Sequence, residues 1–200
     1  MPRAKQRTPE LREKVVEVAV ATLAEHGVAG FTTRRIAEGA STSIPAVYEL
    51  FGDKGGLVRE VFFAGFRRLA AAFDGFTPTA DPRADLEHVV TVFRGFVRDN
   101  AVLFEVMFSR PFADFDPGPD ELAAGARVRE FVVARVRRCI DAGLLAGDPT
   151  DIAHVVVAMA QGLAAQEAAG WLGRTPAAVD RRWAVAFGAL LDGLRPPPAA

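Results

Sequence analysis

Residues 31–57 read "FTTRRIAEGASTSIPAVYELFGDKGGL", and this stretch decides the fold of the amino-terminal part of the chain. Two short helical patterns, one after "FTT" and one opening at Ser43, are separated by only a few small polar residues. Either Thr32 or Thr33 can cap the free amides at the start of the first helix, and Ser43 can cap the second. Two short helices joined by a tight turn are typical of the helix-turn-helix motif, whose second helix enters the major groove of DNA.

The second of these helices, predicted from Ser43 to about residue 50, has two unlike faces. Val47 and Phe51 are predicted to pack inward against Ile36 of the preceding helix. The residues left on the opposite face are Ile44, Pro45, Ala46, Tyr48 and Glu49. Small side chains at the start of this helix let its axis approach the groove, where apolar groups contact thymine methyls. This helix is therefore predicted to read DNA.

The order and spacing of these residues resemble the DNA-binding domain of TetR-family transcriptional regulators. The match covers about residues 10–60, and the positions that carry it are Thr32, Thr33, Ile36, Ala37, Ser43, Val47, Tyr48, Phe51, Lys54 and Leu57. The resemblance implies contacts with the DNA backbone at positions 33, 43, 48 and 54, and with bases at positions 44–46. The predicted DNA-binding residues are Thr33, Arg34, Ser43, Ile44, Pro45, Ala46, Tyr48 and Lys54.

Two positions depart from the family pattern. Ser41 stands in the turn where the family usually has glycine, so it must accept an unfavourable backbone conformation or a slightly different turn. Glu49 follows the tyrosine where the family often has histidine, so it either accepts from a cytosine amine or points aside. We expect these differences to alter which operator is read more than whether DNA is bound.

Helical periodicity continues beyond this motif, and no segment shows sustained strand alternation. Helices are expected over about 9–26, 54–73, 82–99, 100–108, 121–143, 149–172 and 176–194. The predicted fold class is all-α, with an N-terminal three-helix helix-turn-helix DNA-binding domain and a C-terminal helical bundle for ligand binding and dimerisation. The predicted domains are 1–53, 54–195 and a disordered tail at 196–200.

The charges of the chain nearly balance, with a formal net charge of −1, but they are unevenly distributed. Residues 1–14 form a basic amino-terminal arm that fits a polyanionic partner or an ordinary solvated terminus. Cys139 is the only cysteine, so no intramolecular disulfide can form and a reducing compartment is favoured. The apolar stretch "VVEVAVATLA" is interrupted by Glu17 and resembles neither a signal peptide nor a membrane span. We expect a cytoplasmic protein with no membrane contact.

Twelve of the fifteen phenylalanines lie between residues 62 and 131. They form either an ordinary core or a pocket for a flat, apolar small molecule. The resemblance favours the pocket, because the matching helices of the family enclose an effector. The predicted pocket residues are Phe62, Phe66, Phe93, Phe96, Phe104, Phe108, Phe131 and Met159. The proline-rich segment 110–120, with Phe112 and Phe115, is a candidate lid.

In each of the last two helices the apolar face is wider than the core of a single chain requires. Small residues alternate with Val156, Met159 and Leu163 in the first of them, so another helix can approach closely. Two such helices from each of two chains would form a four-helix interface, which the family commonly uses. The alternative is that they only cover their own bundle. A homodimer is the prediction.

The expected function is that of a TetR-like repressor, released from a palindromic double-stranded DNA operator by an apolar or aromatic small-molecule effector. The alternative is a helical small-molecule-binding protein or an enzyme without sequence-specific DNA binding. Asp151 and His154, three apart on a helix, are the only candidate acid–base or metal pair, and no third ligand at metal spacing accompanies them. No enzymatic activity, cofactor or metal ion is therefore predicted.

Overall fold

The computed structural model describes residues 8–109, 111–113 and 115–197. Over these residues the chain is all-α and contains no strand. Its helices are α1 (Pro9–Gly30), α2 (Thr33–Gly39), α3 (Ile44–Phe51), α4 (Lys54–Phe73), α5 (Pro82–Asp99), α6 (Ala101–Phe108), α7 (Pro119–Asp141), α8 (Pro149–Ala168) and α9 (Pro176–Gly193). The predicted fold class is confirmed. Residues 1–7 of the predicted basic arm, including Arg3, Lys5 and Arg7, and residues 198–200 of the predicted tail lie outside the described residues.

Capping residues set the starts of the first three helices, and of these Ser43 was predicted as a cap from the sequence. Thr8, Thr32 and Ser43 each accept a hydrogen bond from a backbone amide in the first turn of α1, α2 and α3. Gly27, expected to end the first helix, adopts φ 63° and kinks it instead, so that α1 continues to Gly30.

Two helix ends differ from the prediction. The segment 110–120 was expected to be loop throughout, but α7 already begins at Pro119, because proline fits the first turn and Glu121 accepts a hydrogen bond from the Gly118 amide at 2.8 Å. The helix expected to reach residue 172 ends at Ala168. Gly170 adopts φ 74°, and the Trp171 amide donates to the Gln166 carbonyl at 2.9 Å, which closes the helix.

The chain folds into two compact units. Within the described residues, the first unit comprises the chain up to Arg68 together with Asn100–Ala124. In its core α1 packs on α2 and α6, and α2 packs on α3. Side chains at most 1% exposed fill this core, namely Val15, Ala19, Phe31, Ile36, Ala40, Val47, Leu57, Val61, Leu103 and Val106. The helix-turn-helix segment thus belongs to the same compact unit as α6.

The second unit comprises Leu69–Asp99 and the chain from Gly125 onward. Here α8 packs between α5 and α9, and Leu69, Leu86, Val136 and Ala153 are fully buried. An ion pair between Arg138 and the buried Asp85 joins α7 to the start of α5. Burial raises the pKa of Asp85, but hydrogen bonds from Thr79 and Arg138 outweigh it and hold that pKa below its ordinary value. The boundary between residues 53 and 54 is a predicted division into functional domains, and it stays a prediction.

Candidate nucleic-acid interface

The turn between α2 and α3 is built around Ser41. Its backbone lies in the left-handed region, at φ 56°, and among the described residues it is the only non-glycine with positive φ. The Ser41 amide donates to the Glu38 carbonyl at 3.0 Å and the Thr42 amide to the Ala37 carbonyl at 2.9 Å. These bonds close α2 in the way a glycine usually allows. Of the two predicted outcomes for Ser41, the structure shows the unfavourable backbone conformation.

Helix α3 has the two faces that the sequence predicted. Val47 and Phe51 are 1% and 8% exposed and lie on the buried side. On the other side Ile44 and Tyr48 are 37% and 45% exposed, and Pro45 is exposed as well. Ser43 caps the helix by accepting from the Ala46 amide at 3.3 Å. The first turn therefore presents small and apolar side chains at an exposed helix amino terminus.

Arg12 of α1 holds the far end of α3 in place. Its Nη1 donates to the Leu50 carbonyl at 2.8 Å, and its Nη2 pairs with the Glu60 carboxylate of α4 at 2.7 Å. The guanidinium also lies 4.7 Å from the centre of the Phe51 ring. These contacts join α1, α3 and α4. In the sequence Arg12 stands out only as part of the basic arm, because no local pattern reveals contacts so distant in sequence.

The remaining predicted contact residues lie at the starts of α2 and α4. Lys54 is exposed and opens α4, and Asp53 caps that helix by accepting from the Gly56 amide at 2.7 Å. Arg34 is 81% exposed and pairs with Glu38 on the same helix at 3.0 Å. Thr33 is half-buried at the start of α2. Exposed basic groups thus accompany the helix amino termini, which themselves attract anions.

The aromatic residues predicted to form a pocket divide between the two units. In the first unit Phe62 and Phe66 of α4 lie 4.9 Å apart, and Phe108 of α6 lies 5.9 Å from Phe66 and 5.3 Å from Phe104. A Cβ built at Gly65 would lie 2.4 Å from the Met107 sulfur, so α4 and α6 approach closely there. These four phenylalanines form one cluster, which we call the α4–α6 aromatic cluster.

The other four predicted pocket residues lie in the second unit. Phe93 and Phe96 are buried on α5, and Met159 is half-buried on α8. Phe131 stacks on Phe73, with ring centres 4.6 Å apart. A cavity of about 300 Å³ in this unit is lined by Arg83, Cys139, Leu144 and Leu191, among others. None of the predicted pocket residues lines it.

The candidate acid–base pair shows no assembled site. His154 is exposed on α8, and its Nδ1 lies 2.9 Å from the Thr150 carbonyl of its own helix. Within the described ranges, no three histidine, cysteine or acidic side chains are placed together as metal ligands. No helix in those ranges is long and apolar enough to cross a membrane.

Both parts of the chain match models of known protein families. Residues 15–61 match the model of bacterial regulatory proteins of the tetR family, and residues 86–190 match that of the tetracyclin repressor-like C-terminal domain. A solved protein of unknown function from Rhodococcus sp. RHA1 is 26% identical, with a TM-score of 0.80 over 96% of this chain and 98% of that one. The TetR family transcriptional regulator PfmR from Thermus thermophilus is 20% identical, with a TM-score of 0.69 over 91% and 99%, and shares the fold. No curated protein matches the sequence.

Proposed function

Because the chain belongs to the TetR family of bacterial transcriptional regulators, we propose that it is a homodimeric repressor. It binds a palindromic DNA operator and leaves that operator when an apolar or aromatic small molecule binds. The observation that carries this proposal is the asymmetry of α3. Its inner face is anchored by Val47 and Phe51, and its outer face offers Ile44 and Tyr48 to solvent. A short helix held in this way can enter a major groove.

The contacts with DNA divide into positioning and reading. Thr33, Ser43, Tyr48 and Lys54 are assigned to phosphates, since hydroxyls, ammonium groups and helix amino termini are the usual phosphate partners. Ile44, Pro45 and Ala46 are assigned to base edges, where apolar groups contact thymine methyls. Arg34, exposed on α2, adds positive charge beside Thr33.

Two recognition helices are needed for a palindromic operator, and the exposed faces of α8 and α9 support a dimer. On α8 an exposed stripe of Val155, Ala158, Gly162 and Ala165 follows helical spacing and carries no side chain larger than valine. On α9, Val185 is 64% exposed. Pairing these faces would bury exposed apolar surface. The dimer must then hold its two α3 helices about 34–36 Å apart, or at a compatible spacing, to reach successive major grooves.

The effector is assigned to the α4–α6 aromatic cluster. A flat apolar ligand among Phe62, Phe66 and Phe108 would displace α4 relative to α6, because the two helices already touch at Gly65. The amino end of α4 carries Lys54, so such a displacement would move a phosphate contact. A difference in ligand affinity of a few kcal/mol between the two arrangements suffices to release the DNA.

The test compares Lys54→Met and Tyr48→Phe in binding to a duplex from the region upstream of the protein's own gene. Both variants should bind more weakly than the wild-type protein. Loss of the Lys54 contact should also lower the dependence of log K on log salt by about 0.9 per contact, whereas loss of the Tyr48 hydroxyl should leave it unchanged. Fluorescence anisotropy at several salt concentrations measures both quantities. Wild-type affinity in both variants would contradict the assignment of the interface.

A further inference from the structure

Lys54 lies beside two aromatic rings that come from distant parts of the chain. Its Nζ is 5.8 Å from the centre of the Phe31 ring and 5.9 Å from that of the Phe112 ring. A lysine ammonium within about 6 Å of a ring centre is attracted by the ring. The two rings pack edge to face with their centres 5.1 Å apart. Both rings are buried, at 1% and 8% exposed, while Lys54 remains exposed.

Phe112 reaches this place from outside the helix-turn-helix segment. It lies between α6 and α7, beyond the residues that match the DNA-binding family model. It nevertheless belongs to the same compact unit as α1, α2 and α3. A residue of the later part of the chain therefore contacts a side chain that we assign to DNA binding.

Phe112 is held in position by its neighbours along the chain. The Phe115 amide donates to the Phe112 carbonyl at 3.1 Å, and the Phe115 ring lies 5.6 Å from that of Phe62 on α4. Further along, the Glu121 carboxylate, 2% exposed, pairs with Arg59 of α4 at 2.6 Å. These contacts attach Phe115 and Glu121, which follow Phe112 in the chain, to α4, the helix that Lys54 opens.

We propose that Phe112 is a positioning residue for DNA binding, which acts by fixing the Lys54 side chain at the amino end of α4. This inference rests on the proposed function, which assigns Lys54 to a phosphate. A lysine stem has many rotamers, and ordering it on binding weakens the contact that it makes. The Phe31 and Phe112 rings restrict those rotamers in advance and leave the ammonium exposed to a phosphate. Phe112 thereby raises operator affinity without touching DNA.

A double-mutant cycle tests this coupling. Phe112→Leu keeps a large apolar side chain but removes the aromatic face, and it is measured alone and together with Lys54→Met in the full-length protein. The probe is the duplex from the region upstream of the gene. With Lys54 present, Phe112→Leu should weaken binding by about two- to fivefold, the size of an exposed cation–π contact. In the Lys54→Met background the same change should have no further effect.

Two other variants separate positioning from general packing. Phe73→Leu is the matched control, because Phe73 is similarly buried at 7% exposed and its ring stacks on Phe131. Its effect on binding should be the same whether or not Lys54 is present. Phe112→Tyr keeps the aromatic face and should retain wild-type affinity. Thermal unfolding checks that each variant is folded, and Phe112→Met replaces Phe112→Leu in the cycle if the leucine variant does not fold.

The outcomes distinguish this inference from the proposed function. If Phe112→Leu weakens binding equally with and without Lys54, or strengthens it, Phe112 does not position Lys54 and the inference is overturned. If Lys54→Met alone leaves affinity and salt dependence unchanged, the assignment of Lys54 to a phosphate is wrong. The inference about Phe112 then fails together with this part of the proposed function. If the aromatic variant Phe112→Tyr binds as weakly as Phe112→Leu, the aromatic face of Phe112 is not what raises operator affinity, and the inference is overturned.

Discussion

Ser41 carries the backbone strain of the turn that orients α3. At φ 56° a residue with a side chain is about 1–3 kcal/mol less favourable than in an ordinary conformation. The hydrogen bonds from the Ser41 and Thr42 amides to α2 hold it there. A small polar side chain tolerates this conformation better than a β-branched one.

Substitutions at Ser41 should therefore rank by their tolerance of positive φ. Ser41→Gly relieves the strain but gives the unfolded chain more freedom. The free energy of unfolding of this variant should therefore be at most about 0.5 kcal/mol below that of the wild-type protein. Ser41→Val should destabilise the protein by about 1–2 kcal/mol. Urea unfolding measures both. A valine variant as stable as the wild-type protein would show that the turn does not need positive φ.

Residues that act within one turn of their own position could be predicted from the sequence. The cap at Ser43 and the helix start at Lys54 follow from the local order of residue types. A threonine cap for α2 follows as well, but the sequence does not choose between Thr32 and Thr33. The roles of Arg12 and Phe112 could not be predicted. Each depends on partners that only the tertiary fold brings close, and neither stands in a recognisable local pattern.

At the scale of elements, a network of charged groups joins α5, α8 and α9. Arg94 donates to the Glu167 carboxylate at 2.7 and 3.0 Å and to Asp180 at 2.8 Å, and the Trp183 indole donates to Glu167 at 2.7 Å. Burial raises the pKa of Glu167, but the hydrogen bonds from Arg94 and Trp183 outweigh it and hold that pKa below its ordinary value. The ionised carboxylate therefore stabilises this packing.

Glu167→Gln should lower the free energy of unfolding by about 1–3 kcal/mol at pH 7, since it weakens hydrogen bonds to a charged group. Asp180→Asn is the matched control, because Asp180 pairs with the same Arg94 but is 61% exposed, and its effect should stay within about 0.5 kcal/mol. Equal losses of unfolding free energy in the two variants would contradict this role of Glu167.

The same glutamate predicts a pH dependence of stability. Its pKa is lower in the folded than in the unfolded chain, so its contribution is complete above the unfolded value of 4.5. That contribution is lost as the pH falls below 4.5 toward the folded pKa. The stability difference between wild-type protein and Glu167→Gln should narrow over this interval in denaturant titrations at fixed pH. A constant difference from pH 7 to pH 3 would exclude this role for Glu167.

The existence of the helices could be predicted more reliably than their ends. Hydrophobic periodicity indicates every helix of the described chain, but α7 starts at a proline that also signals a break. Likewise, α8 ends just before Gly170 although apolar residues continue to Trp171 and beyond. In both cases hydrogen bonds at the helix terminus, rather than periodicity, decide the boundary.

For the molecule as a whole, the apolar surface of α8 and α9 bears on assembly. Val155 and Val185 are 47% and 64% exposed, and Trp171 between the two helices is 78% exposed. The apolar face predicted on α8 from the sequence is marked by other residues, Val156, Met159 and Leu163, of which Val156 is buried. Which of the phenylalanines form core and which form a pocket could not be predicted, because periodicity marks a buried face without showing whether space remains beside it.

Val155→Arg and Val185→Arg should each shift the protein from dimer to monomer and weaken operator binding, since a buried unpaired charge opposes association. Leu122→Arg provides the control, because Leu122 is 62% exposed on α7 in the first unit. It should leave the dimer intact. Sedimentation velocity reports the oligomeric state. Dimers that persist in both valine variants would place the interface elsewhere.

The most direct test of the central claim, that paired α3 helices read a palindromic operator, is a hydroxyl-radical footprint of the wild-type protein on the DNA upstream of its gene. Paired α3 helices should give two protected half-sites related by symmetry and separated by about one helical turn or a multiple of it. Protection should disappear with Lys54→Met at moderate salt. Uniform weak protection that does not depend on sequence, or a protein that stays monomeric and binds no duplex at low salt, would contradict it.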